Sequence, residues 1–265
     1  LTGIKFIRTR HLSTPINKSR LNFINEIADY IFTTGESIKI SMIKSNRINP
    51  EKIKSIPTGV DCELFDPVKY NKRDCRDFFL LNDDEIAIGM VSVLRQFKRH
   101  DRFLKMIRNV IDRNPQKKIK VFIAGKGPQE KKILSIIHDL NLNTHIKMLG
   151  HIENVPQLMH ALDIFILASD SGEGVSQSLM QALVMETAVI STDVGSTRDL
   201  HDNENFIIVD VSNQKQLNDA CDELINSGDL RQKYQNKSRK HVIQNFSQKK
   251  MVKKITDVYQ ALNSK

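Results

Sequence analysis

The stretch ASDSGEGVSQS (168–178) sets an acid between two glycines, directly before an amphipathic run. A glycine-containing turn that enters a helix is a natural phosphate site, because unpaired N–H groups and the helix dipole face the anion. Glu173 stands just outside that helix start. A carboxylate beside a phosphate is electrostatically awkward unless it accepts hydrogen bonds from sugar hydroxyls. The plainer alternative is that Glu173 only complements the dipole of the helix expected over 176–186. Ser176 is placed to cap that helix. Leu179, Ala182 and Leu183 mark its core face, with Gln177, Ser178 and Gln181 off it. A second cluster, VLRQFKRH (93–100), puts Arg95 and Lys98 after an apolar run, where two cations suit a diphosphate. AGKGP (124–128) allows close backbone approach to a ligand, but it is not G-x-G-x-x-G and carries little alone.

These residues need elements to hold them. Short apolar runs at 4–9, 30–34, 86–93, 119–125, 146–149, 163–169, 187–192 and 206–210 predict strands. Helical patterns lie between them. In 100–114, Phe103, Leu104, Ile107, Val110 and Ile111 recur at helical spacing. Strands alternating with helices predict βαβ units and a mostly parallel sheet. Runs such as IAIGMV are apolar on both faces, as a sheet covered on both sides requires. In such sheets, ligands bind at the carboxyl ends of strands, and all three clusters fall there. The segment 55–75 reads as a hinge or linker. Three polar-faced helices follow residue 212, the last at about 247–262. Residues after about 75 make a complete doubly wound domain. Those before about 57 hold two strands and two helices, too few for a sheet of their own.

The bulk properties exclude several classes. The chain has 265 residues and a formal charge of +9. No apolar run approaches the roughly 18 residues of a membrane span, and the first residues lack a signal-peptide core. Cys62, Cys75 and Cys221 fit no metal or redox spacing and suit a reducing cytoplasm. The basic excess fits a phosphorylated ligand or an anionic membrane surface. With no Trp and four Tyr, the aromatic-basic interleaving that stacks bases is missing, so no nucleic-acid partner is expected.

The ordered set IPTGVDCELF, IGMVSVLRQFKRHDRFL, VFIAGKGP and LGHIENVPQLMHALDIFILASDSGEGVSQSLMQALVMETAVISTDVGS resembles glycosyltransferase family 4. The resemblance covers essentially the whole chain and is most specific over 150–196. It implies an α/β fold of the GT-B type: a doubly wound Rossmann-like C-terminal domain plus the remnant of an N-terminal Rossmann-like domain. On this map, 1–57 is the C-terminal part of an incomplete acceptor-side domain. Residues 58–246 bind the nucleotide sugar, and 247–265 form a helix crossing back to the N-terminal domain. The upstream glycine-rich loop of the family has no counterpart, so the chain is read as a member lacking roughly its first third. His11, in RTRHLST, resembles the family histidine that faces the sugar. Arg95 and Lys98 resemble the basic pair on the diphosphate, at shorter spacing than usual, and Arg99 stands where a glycine usually follows the lysine. Glu173 resembles the first glutamate of the E-x7-E motif, which accepts hydrogen bonds from the donor sugar. Gly174 and Val175 would offer backbone N–H groups to the phosphates. Gln181 stands where the second glutamate, the ribose ligand, is usual. The loop GHIENV (150–155) resembles the region that holds the base.

The implied activity is retaining transfer of a sugar from a nucleotide-diphosphate sugar to a glycan or lipid-linked acceptor, without metal or cofactor. The expected setting is bacterial polysaccharide or lipopolysaccharide assembly, in the cytoplasm or at the inner face of its membrane. A truncated, non-catalytic nucleotide-binding remnant is the main alternative. A UDP-sugar 2-epimerase shares the fold but needs acid/base residues that the sequence does not show.

Overall fold

The computed structural model describes residues 4–11 and 20–264. Within them the chain builds two parallel sheets. The larger has six strands: β4 (Glu85–Val91), β5 (Lys118–Ala124), β6 (Ile146–Gly150), β7 (Ile164–Leu167), β8 (Ala188–Thr192) and β9 (Ile207–Val209). Their spatial order is β6-β5-β4-β7-β8-β9. The strands are apolar on both faces because both faces are covered. On one side Ile88, Met90 and Ile123 pack against Phe103 and Ile107 of helix α4 (His100–Arg113) and Leu217 of α8 (Gln214–Asn226). On the other, Phe122 and Phe165 meet Leu158 of α6 (Val155–Ala161), Leu179 and Leu183 of α7 (Gln177–Val184) and Val242 of α9 (Gly228–Phe246). Helix α5 (Glu130–Asp139) adds Ile133 and Ile137 to the first side.

The strand order reverses at β4. Its neighbours, β5 and β7, lead away in opposite directions. The crevice outside the carboxyl ends of two such strands is where doubly wound sheets hold ligands. The loops that follow β4 and β7 are 92–99 and 168–176, so Lys98 and Glu173 are delivered to that crevice by topology.

The expectation that residues before 57 are too few for a sheet is corrected. They form a three-stranded parallel sheet of β1 (Ile7–Arg10), β2 (Tyr30–Thr33) and β3 (Ile53–Ser55). The third strand is three residues of mixed polarity, below the length at which alternation can be read. Helices α1 (Arg20–Glu26) and α2 (Glu36–Asn46) accompany it. Ile38 and Met42 of α2 pack on Ile31 and Ile53. The opposite face meets α10 (Gln248–Asn263), whose Val258 is buried with Phe32 and Ile56. The Tyr259 and Phe32 ring centroids lie 6.2 Å apart.

Two strands of chain link the sheets, and they touch. The Val60 N–H donates to the Phe246 carbonyl (2.8 Å) and the Gln248 N–H to the Val60 carbonyl (3.0 Å). Gly59 is required there, because a Cβ would stand 2.6 Å from Gln248 Cα. The end of the stretch read as a linker is a helix, α3 (Lys72–Phe78), capped by the Asn71 side chain on the N–H groups of Arg73 and Asp74. The turn residues of 55–71 masked its short period.

Candidate active site

Lys98 and Glu173 meet. Lys98 Nζ lies 2.5 Å from Glu173 Oε1, with both side chains buried. Ser169 Oγ donates to the same oxygen at 2.7 Å. Among the described residues, Glu173 Oε2 has no hydrogen-bond partner. The carboxylate is therefore held by one oxygen and presents the other. The lysine also stands 5.3 Å from the Phe97 ring centroid.

The loop around Glu173 is tied to the N-terminal sheet. The Val175 N–H donates to the Thr34 carbonyl (3.1 Å), and the Ser196 N–H donates to the Gly174 carbonyl (3.1 Å). A Cβ on Gly174 would meet Thr34 Oγ1 at 2.7 Å, so any side chain here would force Thr34 to shift. The expected phosphate role of the Val175 N–H is thus not met by this geometry: that donor is committed to Thr34. Further contacts run alongside. The first turn of α2 has glycine at its cap and takes its acceptors from across the interface: Asp199 Oδ2 for the Glu36 N–H (2.8 Å) and Ser196 Oγ for the Ser37 N–H (3.1 Å). Burial raises the Asp199 carboxyl above its ordinary range.

Ser176 occupies the cap position of α7, as its sequence suggests, yet its hydroxyl makes no capping bond. It lies 3.3 Å from Ser178 Oγ instead. The first-turn N–H groups of α7 are left without a side-chain cap, which suits an anion arriving from outside.

The other predicted residues fall at different distances from this centre. His11 is exposed at the end of β1, and its carbonyl accepts from Thr34 Oγ1 at 3.3 Å, one residue-contact away from Val175. Positions 12–14, the end of RTRHLST, lie outside the described residues. Gln181 is half-buried, one turn along α7 from Gln177, whose Nε2 reaches the Gly59 carbonyl at 3.3 Å. Arg95 and Lys98 diverge. Lys98 turns inward, whereas Arg95 is exposed at the rim of a cavity of about 510 Å³ shared with Phe97, Arg99, Ile133 and Asp170.

Arg99 explains its own departure from the family pattern. Its φ of 53° is the left-handed conformation that favours glycine, costing an arginine roughly 1–2 kcal/mol. The side chain compensates by gripping Asp101 (2.9 and 3.0 Å) and Asp170 (2.8 Å), which pins the β4 loop to the β7 loop. Hydrogen bonds donated to these carboxylates hold the guanidinium above its usual range. Ser169 and Arg99 were not singled out from sequence as site residues. Only the glycine-to-arginine exchange gave a signal for either.

His100 supplies a pH dependence. It is buried, its Nε2 lies 3.3 Å from Ser92 Oγ, and burial together with Lys98 pushes its pKa down from 6.5 to about 4. The folded chain keeps this imidazole neutral where the unfolded chain protonates it. Its contribution is therefore complete above about pH 6.5 and is lost as pH falls toward 4, at about 3 kcal/mol over the window. Urea unfolding of His100→Gln across pH 4–7 should show a flatter profile than the parent. An equal slope would contradict the assignment.

Comparison with known proteins supplies the family and the fold type. A family model, the glycosyl transferases group 1, matches residues 71–241. An uncharacterized glycosyltransferase of Methanocaldococcus jannaschii is 24% identical over 254 residues, covering 95% of this chain and 63% of its own. The Escherichia coli UDP-Gal:alpha-D-GlcNAc-diphosphoundecaprenol alpha-1,3-galactosyltransferase is 28% identical over 233 residues, 82% of this chain and 56% of that protein. The chain thus spans about 60% of the length of the curated relatives it matches. Among solved structures, Anabaena HepE in complex with UDP superposes with a TM-score of 0.86 at 16% identity, over 97% of this chain and 72% of that one. The fold is accordingly of the GT-B type. The match covers more than half of the residues, and the chain belongs to the glycosyl transferases of group 1.

Proposed function

We propose that the chain serves transfer of a sugar, with retention, from a nucleotide-diphosphate sugar to a glycan or lipid-linked acceptor. The observation that carries this is the meeting of Lys98 and Glu173 at the switch point beside an uncapped helix end. A lysine and free amides suit the diphosphate, and a carboxylate with one open oxygen suits sugar hydroxyls. In the reaction, the bond from the anomeric carbon to the diphosphate oxygen breaks and a bond to the acceptor oxygen forms on the same face. The acceptor proton passes to the departing phosphate, so no protein nucleophile is required. Lys98 and the start of α7 stabilise the charge that develops on the leaving group. We assign His11 to the sugar, on the support that its backbone meets Thr34 beside the Glu173 loop, and Gln181 to the ribose.

The named substrate of the Escherichia coli relative, a diphosphoundecaprenol-linked sugar, supports a lipid-linked acceptor and a place in bacterial surface polysaccharide assembly. No helix among the described residues is long and apolar enough to cross a membrane. We place the protein in the cytoplasm, with its basic surface able to meet anionic lipid at the inner face of the membrane.

Gln181→Glu should leave donor affinity within about tenfold, or roughly 1.4 kcal/mol. A second carboxylate gains charge-assisted bonds to ribose but adds a negative charge near the diphosphate. Complete loss of binding would show that Gln181 reads something other than ribose. The reading as a whole is tested by thermal unfolding with UDP, GDP, ADP and their hexose conjugates. One base should raise the midpoint by at least about 5 °C at a hundredfold excess over its Kd. If no nucleotide shifts it at millimolar concentration, the function is wrong.

A further inference from the structure

We propose that Ser169 is a positioning residue for the donor sugar, acting only through Glu173; this rests on the reading of Glu173 under "Proposed function". Ser169 is fully buried at the carboxyl end of β7, and its single hydroxyl proton is directed at Glu173 Oε1. Lys98 approaches the same oxygen. A lysine alone is a round point charge on a flexible stem and leaves the carboxylate free to rock about it. A second donor from a fixed direction sets the plane of the group. With Oε1 doubly engaged, Oε2 is the oxygen left to accept from a ligand hydroxyl.

The hydroxyl is itself held in place. Thr192, fully buried at the end of β8, donates through Oγ1 to the Ser169 carbonyl (2.6 Å) and to the Leu167 carbonyl (3.3 Å). These bonds stitch the end of β8 to the point where the chain leaves β7. Thr192 thus fixes the Ser169 backbone, Ser169 fixes the carboxylate, and the carboxylate meets the sugar. The order follows sheet topology, since β7 and β8 are paired neighbours.

The geometry makes a directional claim. Ser169 contributes to recognition of the hexose and not of the nucleoside diphosphate, which lies with Lys98 and the α7 terminus. The test is calorimetric titration of the parent chain, Ser169→Ala, Glu173→Ala and the double variant. The probes are UDP, GDP and ADP, and the hexose conjugate of whichever binds. In Ser169→Ala, the affinity gained from the hexose should fall about tenfold, while that for the nucleoside diphosphate stays within about twofold. In the Glu173→Ala background, Ser169→Ala should add nothing, because the oxygen it donates to is gone. Ser169→Thr, which keeps the hydroxyl, should restore the hexose increment. Equal weakening of both ligands, or an additive loss in the double variant, would reduce Ser169 to a packing residue and overturn the proposal. An unchanged hexose increment would do the same. If the parent binds no nucleoside diphosphate at all, the underlying function fails and this inference with it.

Discussion

Glu173→Ala should destabilise the chain by about 3–5 kcal/mol, an unusually large cost for deleting a polar side chain. The reason lies in what it leaves behind. Lys98 is buried and its ammonium sits against Glu173 Oε1. Without the carboxylate, a positive charge remains in a poorly solvated place, and Ser169 loses its acceptor. The double variant Glu173→Ala/Lys98→Met removes both charges and should recover most of the loss, because a buried pair replaced by apolar groups is close to neutral. Sugar transfer should be lost in both. Urea denaturation of the parent, the two single variants and the double variant gives the coupling energy directly. A coupling below about 0.5 kcal/mol would mean that the pair is solvated and not a buried contact.

Gly195→Ala should be nearly as damaging, at about 2–4 kcal/mol, for reasons unconnected with charge. Gly195 has φ of +58°, which costs an alanine at least about 1 kcal/mol. Its Cβ would also stand 2.1 Å from the Glu173 carbonyl oxygen and 2.7 Å from the carbonyl carbon. Backbone cannot rotate aside as a side chain can, so the clash adds roughly 1–3 kcal/mol. Relief must come from moving the Glu173 loop, so donor binding falls together with stability. Gly150→Ala is the control. Its φ of +66° imposes similar strain, but the nearest atom to a Cβ is Lys126 Cε at 3.7 Å. It should lose only about 1 kcal/mol. Equal midpoints for the two variants would show that contact with Glu173 is not what requires Gly195.

Much of this was legible in the sequence where period and length were favourable. The six strands of the main sheet were all expected, because each is a compact apolar run flanked by longer helical patterns. Ile53–Ser55 and Lys72–Phe78 were not, one being too short to alternate and the other embedded in turn residues. At the site, Glu173 and Lys98 were singled out separately, yet their contact spans 75 positions. It exists because β4 and β7 are neighbours although two strands intervene in the chain. Strand order of this kind is a tertiary property and leaves no local mark. Val175 illustrates the same limit. The family resemblance gives its N–H to a phosphate, but Thr34 of the other sheet claims it. Arg99 is the converse case, since an arginine in a glycine's place did mark a position whose backbone is left-handed.

The central claim is that a sugar nucleotide binds with its diphosphate at Lys98 and its sugar at Glu173. A crystal structure of the chain with the nucleotide-diphosphate hexose that most raises its melting temperature tests this most directly. The account predicts a hexose hydroxyl at about 3 Å from Glu173 Oε2, with a phosphate oxygen at similar distance from Lys98 Nζ or the first-turn amides of α7. A ligand lodged instead in the cavity rimmed by Arg95, with the Lys98–Glu173 pair untouched, would contradict it.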